Sequence, residues 1–394
     1  MPDIEKLNDV AAADIEAVNG VAKANIQAIN GVDVPASGQT ATRWVAVHDG
    51  TGSNFYLSYA AHSDRTSWTG TTIATSSPDS YWLAYGKDGS GNALWATVTS
   101  SNSMEIAHDA NNDVTDGSTW TSVSSDSAGE DLQKCRTIAW GNDVWIAMGH
   151  MDGSNKELYR STDGASWAEI DLSGVTGIGT QTVYGLATDG AGNWVFGQQS
   201  NLFASTDNGS SWAPVDSYPG GVVVDVGFTN NTWVVLDVGD PGQINTVGAS
   251  AFATEMGGGS NATWGTQELT HSSGDVNTAQ SGSKRTTIAC GGGVVIASGI
   301  TATMALDVNG TTVSVRSSGK VMVGNGNVIG GNINTIATDG NGVWLVGSDG
   351  ASGDGGDIAQ STDNGANWTQ VLDDFNYNGD RKFEALRANV YLPV

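Results

Sequence analysis

Cysteine, proline and basic residues are all scarce in this 394-residue chain, with 2 Cys, 7 Pro and 16 Lys+Arg. Nothing in the spacing of Cys135 and Cys290 supports a disulfide, and both read as semi-buried thiols that behave as small hydrophobes. The 16 bases face 42 acids, a formal net charge of −26. Only 15% of residues are charged, so the imbalance comes from missing bases as much as from abundant acids. A nucleic-acid binder needs a basic face to neutralise phosphates, so the charge excludes DNA and RNA as partners. An anionic membrane surface would repel the chain for the same reason. No stretch approaches the roughly 18–20 apolar residues of a membrane span, so no membrane insertion is expected. The opening Met1-Pro2-Asp3-Ile4-Glu5 has neither a basic nor an apolar leader region, which predicts no ordinary signal peptide.

Glycine (54) and tryptophan (14) are plentiful, and a repeat accounts for much of both. The segments Ser205-Thr206-Asp207-Asn208-Gly209-Ser210-Ser211-Trp212 and Ser361-Thr362-Asp363-Asn364-Gly365-Ala366-Asn367-Trp368 both read S-x-D-x-G-x-x-W. Ser161-Thr162-Asp163-Gly164-Ala165-Ser166-Trp167 is a copy one residue shorter, and degenerate copies end at Trp68, Trp120 and Trp264. The chemistry of the motif is local. The Asp accepts N–H bonds from its own turn, the Gly supplies a positive φ, and the Trp packs between layers. It predicts a hairpin fastener rather than a catalytic device.

Each fastener follows a pair of apolar runs split by a Gly-rich turn, as in Thr335-Ile336-Ala337-Thr338-Asp339-Gly340-Asn341-Gly342-Val343-Trp344-Leu345-Val346. Such pairs predict hairpins of well-buried strands. The fastener tryptophans are spaced 52, 47, 45 and 52 residues apart, then 104 across a degraded unit near Val313. Seven units of about 50 residues predict an all-β fold, a seven-bladed β-propeller of four-stranded antiparallel blades, with six or eight blades as alternatives. The first unit lacks a first strand, having runs only near Arg43–Val47 and Phe55–Ala60. The C-terminal Phe383-Glu384-Ala385-Leu386-Arg387-Ala388 is therefore expected to supply it and close the ring.

The Ser-Thr-Asp-Asn-Gly-x-x-Trp copies resemble the Asp-box (BNR) repeat, over roughly residues 41–394. That repeat occurs in sialidases, sortilin-type receptors, some glucanases, photosystem assembly factors, and viral and secreted proteins. The resemblance implies a propeller and says little about activity. Its structural residues here are Ser161, Asp163, Gly164 and Trp167; Ser205, Asp207, Gly209 and Trp212; and Ser361, Asp363, Gly365 and Trp368.

Residues 1–34 are a separate object, joined to the propeller (43–394) by a linker over 35–42. They repeat with period 11, as in Asp14-Ile15-Glu16-Ala17-Val18-Asn19-Gly20-Val21. Read as a helix, Ile4, Leu7, Ile15, Val18, Ile26 and Ile29 form a hendecad stripe, either one long helix or three short turns capped by Asp/Asn and Gly. A stripe of this length cannot bury itself. It is expected to anchor or oligomerise the chain, on other proteins or copies of itself, with packing against its own propeller as the alternative. The Ile-x-x-Val-Asn-Gly-Val units resemble repeats in structural proteins of tailed phages, particularly marine ones. That resemblance implies a virion location and partners among other virion proteins.

Catalytic chemistry finds little support. A sialidase needs an arginine triad, a Tyr–Glu nucleophile pair and an Asp acid. Arg65 lies inside a degenerate fastener, Arg160 directly precedes one, and Arg43 is followed by Trp44-Val45 rather than the Ile-Pro typical of sialidases. His48, His62, His108, His150 and His271 show no metal-ligand spacing, and no phosphate-binding loop is present. The Gly/Asp-rich segment 349–357 offers oxygen ligands for Ca²⁺ but reads first as a solvated loop. No cofactor, metal or catalytic residue is expected. The reading is a non-enzymatic virion protein of a phage tail, fibre or surface appendage, displaying its propeller for assembly or host attachment. The alternative is an extracellular carbohydrate-binding propeller or glycosidase that stacks Tyr81, Trp82, Tyr218 or Tyr377 on a host-surface glycan.

Overall fold

The apolar runs and their Gly-rich turns dictate the unit of the fold. In Thr188-Asp189-Gly190-Ala191-Gly192-Asn193-Trp194, the Asp189 carboxylate accepts the Ala191 and Asn193 N–H groups at 2.8 and 3.1 Å. Thr338 and Asp339 build the same turn with Asn341 and Val343. These turns join the first two strands of a blade, and both strands are buried throughout, as in Trp194–Gln198 and Ile333–Thr338. Exposure rises outward. The fourth strand Ala168–Asp171 carries charged residues and is mostly exposed.

The computed structural model describes residues 41–51, 54–74, 80–99, 104–108, 115–125, 127, 135–149, 151, 157–183, 185–270, 276, 278, 287–300, 302–316, 328–329, 331–349, 355–375 and 382–390, with six two-residue strands between 6 and 33. Seven four-stranded antiparallel sheets form the blades of a propeller. Blade 1 is Ala385–Ala388, Arg43–Thr51, Asn54–Ala61 and Asp64–Ala74, in that spatial order. Blades 2 to 7 run in sequence order and begin with Ser80–Lys87, Cys135–Gly141, Gly185–Thr188, Val223–Thr229, Thr287–Gly291 and Ile333–Thr338. These first strands are the innermost. Each touches the next, and Ser80–Lys87 touches Ala385–Ala388, so the ring is closed.

Closure joins the two ends of the propeller as the sequence predicts. Ala385, Leu386, Arg387 and Ala388 pair with Val47, Ala46, Val45 and Trp44. The Asn389 carboxamide accepts the Thr42 and Arg43 N–H groups, both at 2.8 Å, and donates to Thr42 Oγ1 at 2.8 Å. Phe383 is fully buried against His48, Phe375 and Trp68.

The S-x-D-x-G-x-x-W turns lie between the third and fourth strands of blades 3, 4 and 7. In blade 4, Ser205 Oγ donates to Asp207 at 2.7 Å and accepts the Gly209 N–H at 2.9 Å. Asp207 also accepts the Ser211 N–H at 2.8 Å and its hydroxyl at 2.6 Å, and Trp212 Nε1 donates to the Gly209 carbonyl at 3.1 Å. Ser161, Asp163, Gly164 and Trp167 repeat this net. So do Ser361, Asp363 and Gly365, while the Trp368 Nε1 is buried without a partner among the described residues. These bonds favour the ionised carboxylate and outweigh the opposing effect of burial, so Asp163, Asp207 and Asp363 sit below the usual carboxylate range. Asp207→Ala should cost about 1–2 kcal/mol from three lost acceptor bonds, read as a lower urea midpoint at unchanged slope.

The turn does more than fasten its own hairpin. Gly209 has φ +81°, and a Cβ there would sit 2.3 Å from Ile146 Cδ1 of blade 3. Gly164 presses on Leu94 of blade 2 and Gly365 on Ile296 of blade 6 in the same way. Each turn therefore seals its blade against the preceding one. Blade 5 has a helix, Ala249–Met256, in this place. There Glu255 stands in for the Asp, accepting the Ser217 and Ala262 N–H groups at 2.9 and 3.0 Å, while Trp264 Nε1 donates to Ser217 Oγ at 2.9 Å.

The N-terminal segment departs from the helical expectation. Its described residues are three antiparallel strand pairs with an 11-residue period. Lys6–Leu7 pairs with Val10–Ala11, Ala17–Val18 with Val21–Ala22, and Ala28–Ile29 with Val32–Asp33. The physical reason is in the residues between the pairs. In sequence, Asn19-Gly20 and Asn30-Gly31 are the strongest short hairpin signal, and the Val and Ile beside them favour strands. The linker 35–42 lies outside the described residues apart from Ala41 and Thr42.

Candidate functional site: the central channel

The innermost strands are mostly apolar. Apart from Arg136 in Cys135–Gly141, two of them carry a charged residue inside the run: Asp225 in Val223–Thr229 and Arg387 in Ala385–Ala388. Alternation in a strand turns one face toward the channel. Both residues line a cavity there, with Trp82, Leu83, Thr287, Ile288, Cys290, Asn334, Ile336 and Glu384 among its walls. The cavity is small, about 40 Å³, and open to solvent at its mouth.

Asp225 is a well-partnered carboxyl. Its Oδ1 accepts the Val226 N–H at 2.9 Å, and its Oδ2 accepts Thr287 Oγ1 at 2.6 Å and the Ile288 N–H at 2.9 Å. Burial still pushes it up to about 6, against those bonds and the attraction of Arg387. Arg387 donates from Nε to the Leu83 carbonyl at 3.4 Å. Burial draws its guanidinium down to about 10, while the charge of Asp225 pulls the other way. The pair attract each other across the channel without an ion pair within 4.0 Å. Cys290, on the neighbouring strand, has its thiol pushed up by burial and by Asp225, so it is a poor nucleophile there. Asn334 is 5% exposed and has no hydrogen-bond partner among the described residues.

The other expected site residues lie elsewhere. Leu7, Val18 and Ile29 fall in the N-terminal strand pairs, and Ile4, Ile15 and Ile26 lie outside the described residues. Trp82 lines the channel. Tyr218 donates to the buried Asp237 and packs edge-on against Trp264, so it serves packing rather than an open platform. Tyr377 and most of the segment 349–357 lie outside the described residues, as does the side chain of Tyr81. Cys135 and Cys290 are both free and buried. Among the described residues no group of three or more His, Cys, Asp or Glu side chains is placed to hold a metal. No helix among them is long and apolar enough to cross a membrane.

No family model and no curated protein matches the sequence. Solved structures match the fold. A protein from Lactobacillus plantarum is similar at TM-score 0.58 and 9% identity, over 89% of this chain and 99% of that one. A protein from Desulfotomaculum acetoxidans gives 0.58 and 11%, over 88% and 99%. The WD40 repeats of RRP9 give 0.50 and 10%, over 81% and 93%. At these identities the likeness concerns the propeller fold alone.

Proposed function

We propose that the chain is an Asp-box propeller serving as a non-enzymatic virion protein of a tailed phage, anchored through residues 1–34 with its propeller displayed outward. The observation that carries this reading is the N-terminal repeat. Three hairpins of two-residue strands are far too short to be stable alone in water and need a partner to complete their sheets. Copies of the same segment, or repeats of like period on a neighbouring virion protein, supply matching edges. The propeller behind it is a rigid closed ring whose motif acids Asp163, Asp207 and Asp363 are all engaged as acceptors in their own turns. Such a head suits display for assembly or host-surface attachment.

Light scattering on the full chain and on a chain lacking residues 1–34 tests the anchor. The full chain should be oligomeric and the shortened one monomeric with an unchanged melting temperature. A full-length monomer unaffected by the deletion would count against it. A panel of chromogenic glycosides tests the non-enzymatic part, and turnover of any of them would overturn it.

A further inference from the structure

We infer that the central channel is a binding site for a small carboxylate, held by the Arg387 guanidinium and the Asn334 carboxamide between the apolar walls of Trp82, Ile288 and Ile336. The inference does not depend on where the propeller is displayed. Arg387 uses only Nε among the described residues, on the Leu83 carbonyl, which leaves its two terminal nitrogens for a ligand. Asn334 is nine-tenths buried, lines the same cavity and has no partner among the described residues. Both groups open onto one cavity and are not fully used by the protein, so they are available to a ligand there. Asp225 does not fill it, because its oxygens are occupied by Val226, Thr287 and Ile288.

Arginine's planar fork matches the two oxygens of a carboxylate in a way it cannot match a rounder anion, and the carboxamide adds a further donor. The aromatic and aliphatic walls suit a short carbon skeleton. The net charge of −26 disfavours an anionic polymer, whose many charges would all be repelled. A single carboxylate has one local guanidinium to pair with, against the Asp225 and Glu384 carboxyls that line the same cavity. That carboxylate belongs to a free short-chain acid or to one uronic acid sugar of a glycan.

Saturation-transfer NMR on the full chain, titrated separately with acetate, glucuronate and sulfate, tests the site. Acetate, glucuronate or both should bind saturably, with dissociation constants on the order of millimolar. Arg387→Met and Asn334→Leu should each weaken binding about tenfold or more. Glucuronate binding more tightly than acetate assigns the source to a sugar, and the reverse assigns it to a free acid. If Arg387→Met does not fold, as read by near-UV circular dichroism, Asn334→Leu carries the comparison alone. Sulfate binding as tightly as the carboxylates, carboxylate binding unchanged in the folded variants, or no saturable binding would each overturn the inference.

Discussion

Removing residues 381–394 should lower the melting temperature by about 10 °C or more and turn the single unfolding transition into a broad, concentration-dependent one. The deleted segment holds the innermost strand of blade 1, whose four residues pair with Trp44 to Val47. Phe383, Leu386 and Val390 are buried with it in the seam between blades 1 and 7. Cutting a buried Phe or Leu back to Ala typically costs about 3–5 and 2–5 kcal/mol, so losing both exceeds half of an ordinary domain's stability. The hydrogen bonds lost are also specific. Leu386 N–H donates to Thr335 Oγ1 of blade 7 at 3.0 Å, and Asn389 satisfies three groups of Thr42 and Arg43. Deletion would also leave Arg43–Thr51 as an unpaired sheet edge, a template for pairing between molecules. The single variant Phe383→Ala should cost about 3–5 kcal/mol and leave the transition cooperative. Unchanged melting of the truncated chain would mean that the ring does not depend on this strand.

That closure could be foreseen because blade 1 lacked a first strand and the apolar tail had no other sheet to join. The blade count was equally legible, since Trp120, Trp167, Trp212, Trp264 and Trp368 directly precede a fourth strand and Trp68 lies within one. Other features were not. A second series of fully buried tryptophans, Trp44, Trp95, Trp145, Trp194, Trp233 and Trp344, anchors the second strand of six blades. Trp194 and Trp344 donate to Asn208 and Asn364 of their own blades' fasteners, a link between distant motifs that spacing alone does not reveal. The helix in blade 5 replaces a turn whose acid comes from Glu255, a residue of the wrong type at the wrong distance for the motif.

The channel was partly legible. Arg387 and Asp225 are single charges inside apolar runs, Ala-Leu-Arg-Ala and Val-Val-Val-Asp-Val, and both line the central cavity. The signal was present but points nowhere until the strand order is known. Only ring closure brings blade 1's arginine within the field of blade 5's aspartate. The N-terminal repeat shows the opposite failure. Its 11-residue period fits helical geometry numerically, but the described residues form strand pairs, and the Asn-Gly steps in the sequence favour that outcome over the apolar spacing.

His48 should make the seam between blades 1 and 7 acid-sensitive. Its ring is buried between Phe375 and Phe383. Nδ1 donates to the Lys382 carbonyl at 2.8 Å, and Nε2 accepts Ser58 Oγ at 2.7 Å, which fixes the neutral form. Burial lowers its pKa from 6.5 to about 4, against the opposing effect of the Lys382 carbonyl. Because the folded value is depressed, the unfolded chain takes up a proton first as pH falls. The neutral ring's contribution is complete above pH 6.5 and is lost between there and about 4. At pH 4.5 the loss amounts to about 2–3 kcal/mol. Asp225 and Asp237 work in the opposite direction. Burial raises both to about 6, so their contribution grows as pH falls through 6. The bare pH profile of the protein therefore mixes opposing slopes, and the difference between wild type and His48→Gln isolates the histidine. Glutamine keeps a donor for Lys382 but does not titrate, so the wild type's advantage at pH 7.5 should shrink by about 2–3 kcal/mol at pH 4.5 in urea unfolding. A difference independent of pH would mean that His48 is no more buried in the folded chain than in the unfolded one.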